Sequence, residues 1–256
     1  MKAPQFTLLS QMEERHCWFL GRRRIAQELV RCILPPSKEK TILDIGCGTG
    51  GNIAAFADEY RCIGIDPSPE AITLAQRRFP QVQFLQGFPP DGIGPLIPAA
   101  DLFLLMDVLE HIPDDSLFLS ELIGHAKPGS TVLITVPADM NLWSQHDVSF
   151  GHHRRYERDG LQRLWVDQPV KTLLLSYYNA YLHPFIRVVR QINQHRGDTY
   201  GQAGTDFKLP ISPVNRLLEA TFSSEAKVLL ELLKGRRPYG FAHGVSLIAL
   251  LRLEEG

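Results

Sequence analysis

TILDIGCGTGGN, residues 41–52, carries an apolar run into a turn with glycine at positions 46, 48, 50 and 51. Glycine at the carboxyl end of a strand lets the main chain approach a ligand closely and turn into the next helix. Gly46, Gly48 and Gly50 are the candidates for that approach. Asp44 sits just before them, and Asp66 ends the next strand-like run. A carboxylate at that second strand end, about 20 residues on, is placed to accept hydrogen bonds from both hydroxyls of a nucleoside ribose. Gly46, Gly48 and Gly51 also satisfy G-x-G-x-x-G, the dinucleotide pattern, which by itself is a weak signal.

Outward from this turn, strands and helices alternate. TILDI (41–45), RCIGID (61–66), VQFLQG (82–87), DLFLLMDV (101–108) and STVLITVP (130–137) read as strands. NIAAFADEY (52–60), SPEAITLAQRRF (68–79) and DDSLFLSELIGHA (114–126) read as helices between them. The strands are nearly continuous apolar runs, as expected where both faces of a parallel sheet are covered. Before the turn, Leu9, Met12, Cys17, Leu20, Ile25, Leu29 and Ile33 recur at helical spacing, and Pro35 and Pro36 stop that helix.

Beyond Pro137 the rhythm changes, and residues 138–160 are polar, aromatic and histidine-rich with no clean period. A short helix around LQRLWV (161–166), a strand in VKTLLLSYYNA (170–180) and an amphipathic helix in HPFIRVVRQINQ (183–194) follow. RGDTYGQAGTDFKLP (196–210) reads as a mobile loop. PVNRLLEATFSSEAKVLLELL (213–233) is helical, and HGVSLIALLRL (243–253) is a last strand.

The 256 residues, 44% hydrophobic and 21% charged, suffice for one sizeable core. A formal net charge of −1 gives no bulk attraction to nucleic acid or an anionic membrane. Cys17, Cys32, Cys47 and Cys62 form no CxxC pair, which argues against a zinc or thioredoxin-like site and fits a reducing compartment. With no signal-peptide core and no apolar run of about 20 residues, a soluble, cytoplasmic protein is expected.

LDIGCGTG resembles the first signature motif of the class I S-adenosylmethionine-dependent methyltransferases. MDVLEHI (106–112) after the fourth strand and KPGSTVLITVP (127–137) through the fifth resemble their later motifs. The resemblance covers residues 40–137, and more loosely most of the chain. It implies S-adenosyl-L-methionine as cofactor, with the glycine loop of Gly46, Gly48 and Gly50 near its methionine part and Asp66 on its ribose. Asp44, Cys47, Pro67, Asp107, Val108 and His111 complete the expected cofactor crevice. The third strand of these enzymes often ends in an acid near the adenine. Here FLQGFPPDG (84–92) puts Gly87 and Phe88 there, leaving Phe88 or Asp91 to meet the adenine.

Methyl transfer is a single displacement, so acceptor alignment dominates and a base is needed only where the acceptor must lose a proton. EERHCWFLGRRR (13–24) offers aromatic surface and three arginines, Arg22, Arg23 and Arg24, for a carboxylate or an anionic acceptor. LWSQHDVSFGHHRRYERDGL (142–161) clusters His146, Asp147, His152, His153, Arg154, Arg155 and Tyr156. His146 and His152 are the candidates for base or substrate-orienting work, set against a structural loop tied by Asp147–Arg or His–Tyr hydrogen bonds. The spacing fits no helical His pair, and no metal is expected. Glu157, Asp159 and Asp147 interleave with the basic residues, so nucleic acid is not the expected partner. Phe185, Ile186 and Val189 allow a peripheral membrane contact, with plain packing favoured.

These readings amount to an α/β fold: a Rossmann-like, seven-stranded, mostly parallel sheet with helices on both faces, an N-terminal helix and a C-terminal cap. The expected organisation is an N-terminal helical lid (1–36), the cofactor-binding core (37–137), and acceptor loop, cap helices and last strands (138–256). The expected function is methyl transfer to an O or N atom of a small molecule. A nicotinamide-dependent oxidoreductase and a non-catalytic nucleoside-binding module are the alternatives.

Overall fold

Seven strands form one sheet: β1 (Ser37–Ile45), β2 (Tyr60–Asp66), β3 (Gln83–Gln86), β4 (Leu102–Met106), β5 (Thr131–Pro137), β6 (Val170–Tyr178) and β7 (Ser246–Leu253). The computed structural model describes residues 3–89, 94–196 and 208–255. Asp91 and most of the 196–210 loop lie outside the described residues.

The spatial order is β3-β2-β1-β4-β5-β7-β6, with β7 antiparallel to both its neighbours and every other pairing parallel. The chain leaves β1 toward β2 and β3, then returns to β4 on the other side of β1. That reversal opens a crevice beyond the carboxyl ends of β1 and β4, the place where open α/β sheets bind ligands. The loops after β1, β2 and β4 all reach it.

Successive strand residues feed opposite faces. Ile42, Leu102 and Leu104 enter one hydrophobic cluster, while Leu43, Phe103 and Leu105 enter the other. The seventh strand does the same with Ile248 and Leu250 against Leu247, Ala249 and Leu251. This two-sided burial is why the strands read as unbroken apolar runs.

Several elements differ from the sequence reading. The first helix is two, α1 (Ala3–Met12) and α2 (Cys17–Ile33). His16 caps the second, its Nδ1 accepting from the Trp18 N–H at 3.2 Å. Asn215, some two hundred residues on, clamps the break: its Oδ1 accepts from Cys17 N at 2.9 Å and its Nδ2 donates to Arg15 O at 2.7 Å. The helix after the glycine turn, α3, is only Gly51–Ala54, whereas α4 (Pro69–Arg78) and α5 (Asp115–His125) match their patterns. The aperiodic stretch holds α6 (Gln145–Phe150) and α7 (Arg158–Gln162), both too short to show a period. After α8 (His183–Arg196), the long C-terminal helix breaks at Ser224 into α9 (Ser212–Ser223) and α10 (Glu225–Leu233).

The second helix packs closely on α9. A Cβ at Gly21 would stand 2.6 Å from the Phe222 ring, so only glycine permits this approach. Ile25, Leu29 and Val30 on the same helix are fully buried, which ties the N-terminal segment into the core. Among the described residues no helix is long and apolar enough to cross a membrane.

Candidate functional site

A cavity of about 1200 Å³ opens over the crevice. Its floor is the glycine loop and the ends of β2 and β4, and α1, α2, α6, α8 and α9 form its walls. Gly46, Cys47, Gly48, Asp66, Pro67, Phe88, Asp107, Val108, His111, His146 and His152 all line it. Asp44 and Gly50 stand behind that wall.

The glycine loop is locked to the second strand. The amides of Gly46 and Cys47 both donate to Ile65 O, at 2.8 and 2.9 Å. Gly46 has φ 74°, and a Cβ there would meet Val108 Cγ2 at 2.8 Å. Gly48 has φ 55°, and a Cβ there would meet nothing within 4 Å, so the main chain itself faces open cavity. Asp66 receives Gly48 N on Oδ2 and Ser68 N on Oδ1, each at 2.9 Å. Burial raises the Asp66 carboxyl, and these two amides pull it back. Each oxygen keeps a lone pair for a further donor.

Under the loop, Asp44 is buried and its Oδ2 has no hydrogen-bond partner. Burial pushes its carboxyl well above the usual range, and Arg22 opposes that rise. Asp107, expected beside the cofactor, is paired with Arg22, and Thr135 Oγ1 donates to its Oδ1 at 3.3 Å. Arg22 lies over the Trp18 ring with Cζ 4.2 Å from its centroid. The other two arginines of the cluster are committed elsewhere, Arg23 to Glu13 O at 2.8 Å and Arg24 to Glu219 at 2.9 Å. Phe88 stacks on Phe118, with centroids 5.2 Å apart and planes 22° apart.

Across the cavity, Asp147 is fully buried and holds three partners. Arg155 donates to it through Nε at 2.8 Å and Nη2 at 3.0 Å, Ser144 N through a capping box at 2.8 Å, and His152 Nδ1 lies 3.0 Å from Oδ1. Burial favours the neutral acid, yet the His152 and Arg155 contacts outweigh it and hold Asp147 well below the carboxylate range. The Asp147–Arg tie foreseen as the structural role of this loop is therefore present, and the histidine is tied into it. Burial drives His111 down to about 4 and His146 to about 3, so both rings are neutral near pH 7. The His111 and His152 rings meet edge to face at 4.7 Å.

A family model described as a methyltransferase domain matches residues 14–180, more than half of the chain. The chain belongs to the class I methyltransferases.

Trans-aconitate 2-methyltransferase of Azoarcus sp. (strain BH72) is 31% identical to this methyltransferase over 121 residues, 45% of this chain and 46% of that protein. The match thus spans less than half of that relative's length. A chain in the complex between the Haloferax volcanii Trm112 methyltransferase activator and a methyltransferase superposes with TM-score 0.57 at 18% identity, covering 99% of this chain and 96% of that one. The plantazolicin methyltransferase BpumL in complex with SAH superposes with TM-score 0.53 at 15% identity, over 93% of this chain and 84% of that one. At such identities the structures speak for the fold, and the nicotinamide alternative is not favoured.

S-adenosyl-L-methionine is the cofactor of this methyltransferase. The crevice suits it on its own chemistry. A sulfonium and an α-ammonium need acceptors; Asp107 lines the cavity, and Asp44 Oδ2, buried behind its wall, has no donor. A ribose needs a carboxylate with spare lone pairs, which Asp66 has. A chain passing close to the ligand needs a residue without Cβ, which Gly48 provides.

Sequence reasoning missed Glu13, Asn52 and Glu110. Glu13 Oε2 accepts from Thr49 Oγ1 at 2.8 Å and pairs with Arg78 Nη1 at 2.6 Å, pinning the end of α1 to the glycine loop. Asn52 Oδ1 accepts from Arg22 Nη2 at 3.4 Å. No local pattern marks these residues, because each partner lies on a distant segment. Glu110, inside MDVLEHI, was within reach as a carboxylate in a motif, but its burial was not.

Proposed function

We propose that this chain transfers a methyl group from S-adenosyl-L-methionine to an O or N atom of a small molecule with an apolar body. The observation that carries the reading is the continuity of one cavity: Gly48 and Asp66 line one end, and His111, His146 and His152 line the other. When bound, the cofactor supplies an electrophilic methyl group. Gly46 and Gly48 admit its methionine part, Asp66 accepts its ribose hydroxyls, and Phe88 offers a ring face for the adenine.

The chain's own work is alignment and exclusion of water. Phe185, Ile186, Val189, Leu217 and Leu218 line the cavity mouth, a surface suited to an apolar body rather than a phosphate backbone. The turn between α1 and α2, held by Glu13 and Asn215, acts as the lid of the expected N-terminal segment. His152, oriented by Asp147, positions the acceptor; His146 stands 6.2 Å from it, ring to ring, as a neutral neighbour.

Calorimetric titration with S-adenosyl-L-homocysteine and with NAD⁺ tests the reading. Binding of the first in the micromolar range, with labelled methyl passing from S-adenosyl-L-methionine to a small-molecule extract, supports it. Binding of NAD⁺ alone overturns it.

A further inference from the structure

Glu110 is fully buried in the 3₁₀ turn Leu109–His111, and neither of its carboxylate oxygens has a hydrogen-bond partner. An unmatched buried carboxylate costs several kcal/mol unless a proton or a cation compensates it. The two nearby arginines each pair with another carboxylate, Arg22 with Asp107 and Arg155 with Asp147, although Arg22 Nε keeps no partner of its own. The partners closest at hand are two imidazoles. One ligand atom from each of Glu110, His111 and His152 falls within 4.8 Å of the others, and all three residues line the cavity.

We propose that Glu110, His111 and His152 bind a divalent first-row transition metal ion in the acceptor half of the cavity. Two imidazoles and one carboxylate form a donor set that suits Zn²⁺, Mn²⁺, Fe²⁺ or Co²⁺ and leaves coordination positions open. Ligands on one tetrahedral ion, at roughly 2.0–2.2 Å, stand about 3.3–3.6 Å apart, so atoms up to 4.8 Å apart here draw in by up to about 1.5 Å to close on an ion.

The surroundings of His152 support the assignment. Its Nδ1 faces Asp147 Oδ1 at 3.0 Å, which fixes the ring and leaves Nε2 for a second partner. A carboxylate behind a histidine in this way is the usual outer shell of a metal-bound imidazole. The sequence spacing concealed this set, because adjacent Glu110 and His111 meet His152 only across the loop that carries α6.

An ion here would hold and polarise an oxygen of the acceptor. This last point rests on the methyltransferase reading and narrows the acceptor to a molecule bearing a hydroxyl or carboxylate oxygen.

The test is titration of the metal-stripped full chain with Co²⁺, read by visible d–d absorption, with S-adenosyl-L-homocysteine binding measured calorimetrically on the same samples. The expected result is one Co²⁺ per chain, with Glu110→Gln and His152→Ala each weakening it at least about tenfold while circular dichroism shows both variants folded. His111→Ala serves in place of either one that does not fold. No Co²⁺ uptake by the wild type, or uptake indifferent to these substitutions, overturns the site. Uptake without S-adenosyl-L-homocysteine binding supports the metal site and removes the methyltransferase reading. S-adenosyl-L-homocysteine binding without Co²⁺ uptake does the reverse.

Discussion

Arg22 and Asp107 form an ion pair that joins the second helix to the end of the fourth strand, across the floor of the cavity. Arg22 is 4% exposed and lies on Trp18. Asp107 takes φ 61°, a left-handed conformation that aspartate tolerates better than most residues. Its N–H donates to Thr135 O at 2.9 Å, so neighbours on two elements hold it there. The pair makes the N-terminal segment part of the site rather than an appendage to it.

Arg22→Met keeps most of the apolar length and removes the charge. It leaves Asp107 facing the cavity without its cation and Asn52 without a donor. The expected loss is about 3 kcal/mol, at the low end for a broken buried pair because Asp107 is partly open. Urea denaturation of the two proteins checks it; an unchanged midpoint would show that the pair contributes nothing net.

Asp66→Ala deprives the Gly48 and Ser68 amides of their acceptor and removes the carboxylate offered to the ribose. Affinity for S-adenosyl-L-homocysteine is expected to fall by about 1–3 kcal/mol, measured by calorimetry. Equal affinity would place the ribose elsewhere.

Glu13→Gln tests the latch between α1 and the glycine loop. The carboxylate holds both Thr49 and Arg78, and hydrogen bonds to charged groups are worth about 1.5–3 kcal/mol each when buried. Faster proteolysis near residue 13 and weaker cofactor binding are expected together. Loss of neither would mean that the loop holds its shape unaided.

Glu225 sets a pH dependence. Its Oε1 accepts from Ala180 N and Tyr181 N at 2.8 and 2.9 Å, and its Oε2 is buried without a partner. Burial raises its carboxyl to about 7 from an ordinary 4.5, with the backbone amides opposing. The folded state therefore binds this proton more tightly than the unfolded one. The stability it contributes is full below pH 4.5 and is lost as pH rises through about 7. Glu225→Gln, which carries no titrating proton, should flatten that decline. Urea midpoints at about pH 5 and pH 8 for both proteins decide it; parallel declines would assign the effect to other groups.

The sheet was legible in the sequence because its central strands are apolar on both faces and end at a glycine, an acid or a proline. Those are local signals, and TILDIGCGTGG is the strongest of them. The glycine turn and Asp66 could be found for the same reason: backbone conformation and strand-end position are set by residues close in sequence. Helix breaks were not legible. Residues 13–16 are polar between Met12 and Cys17, and the break there is capped by His16 and clamped by Asn215, a residue that no local pattern announces.

What the sequence determined alone was the class of fold, the place of the crevice and the loop that floors it. Only the tertiary structure decided which charged groups cancel. Asp107 could not be assigned to Arg22, nor Asp147 to Arg155, from spacing, because burial turns an exposed charge into one that must find a partner. The same burial leaves Glu110 beside the imidazoles of His111 and His152. That juxtaposition exists only once the loops after the fourth and fifth strands close over the end of the sheet, where low dielectric makes each unmatched charge costly.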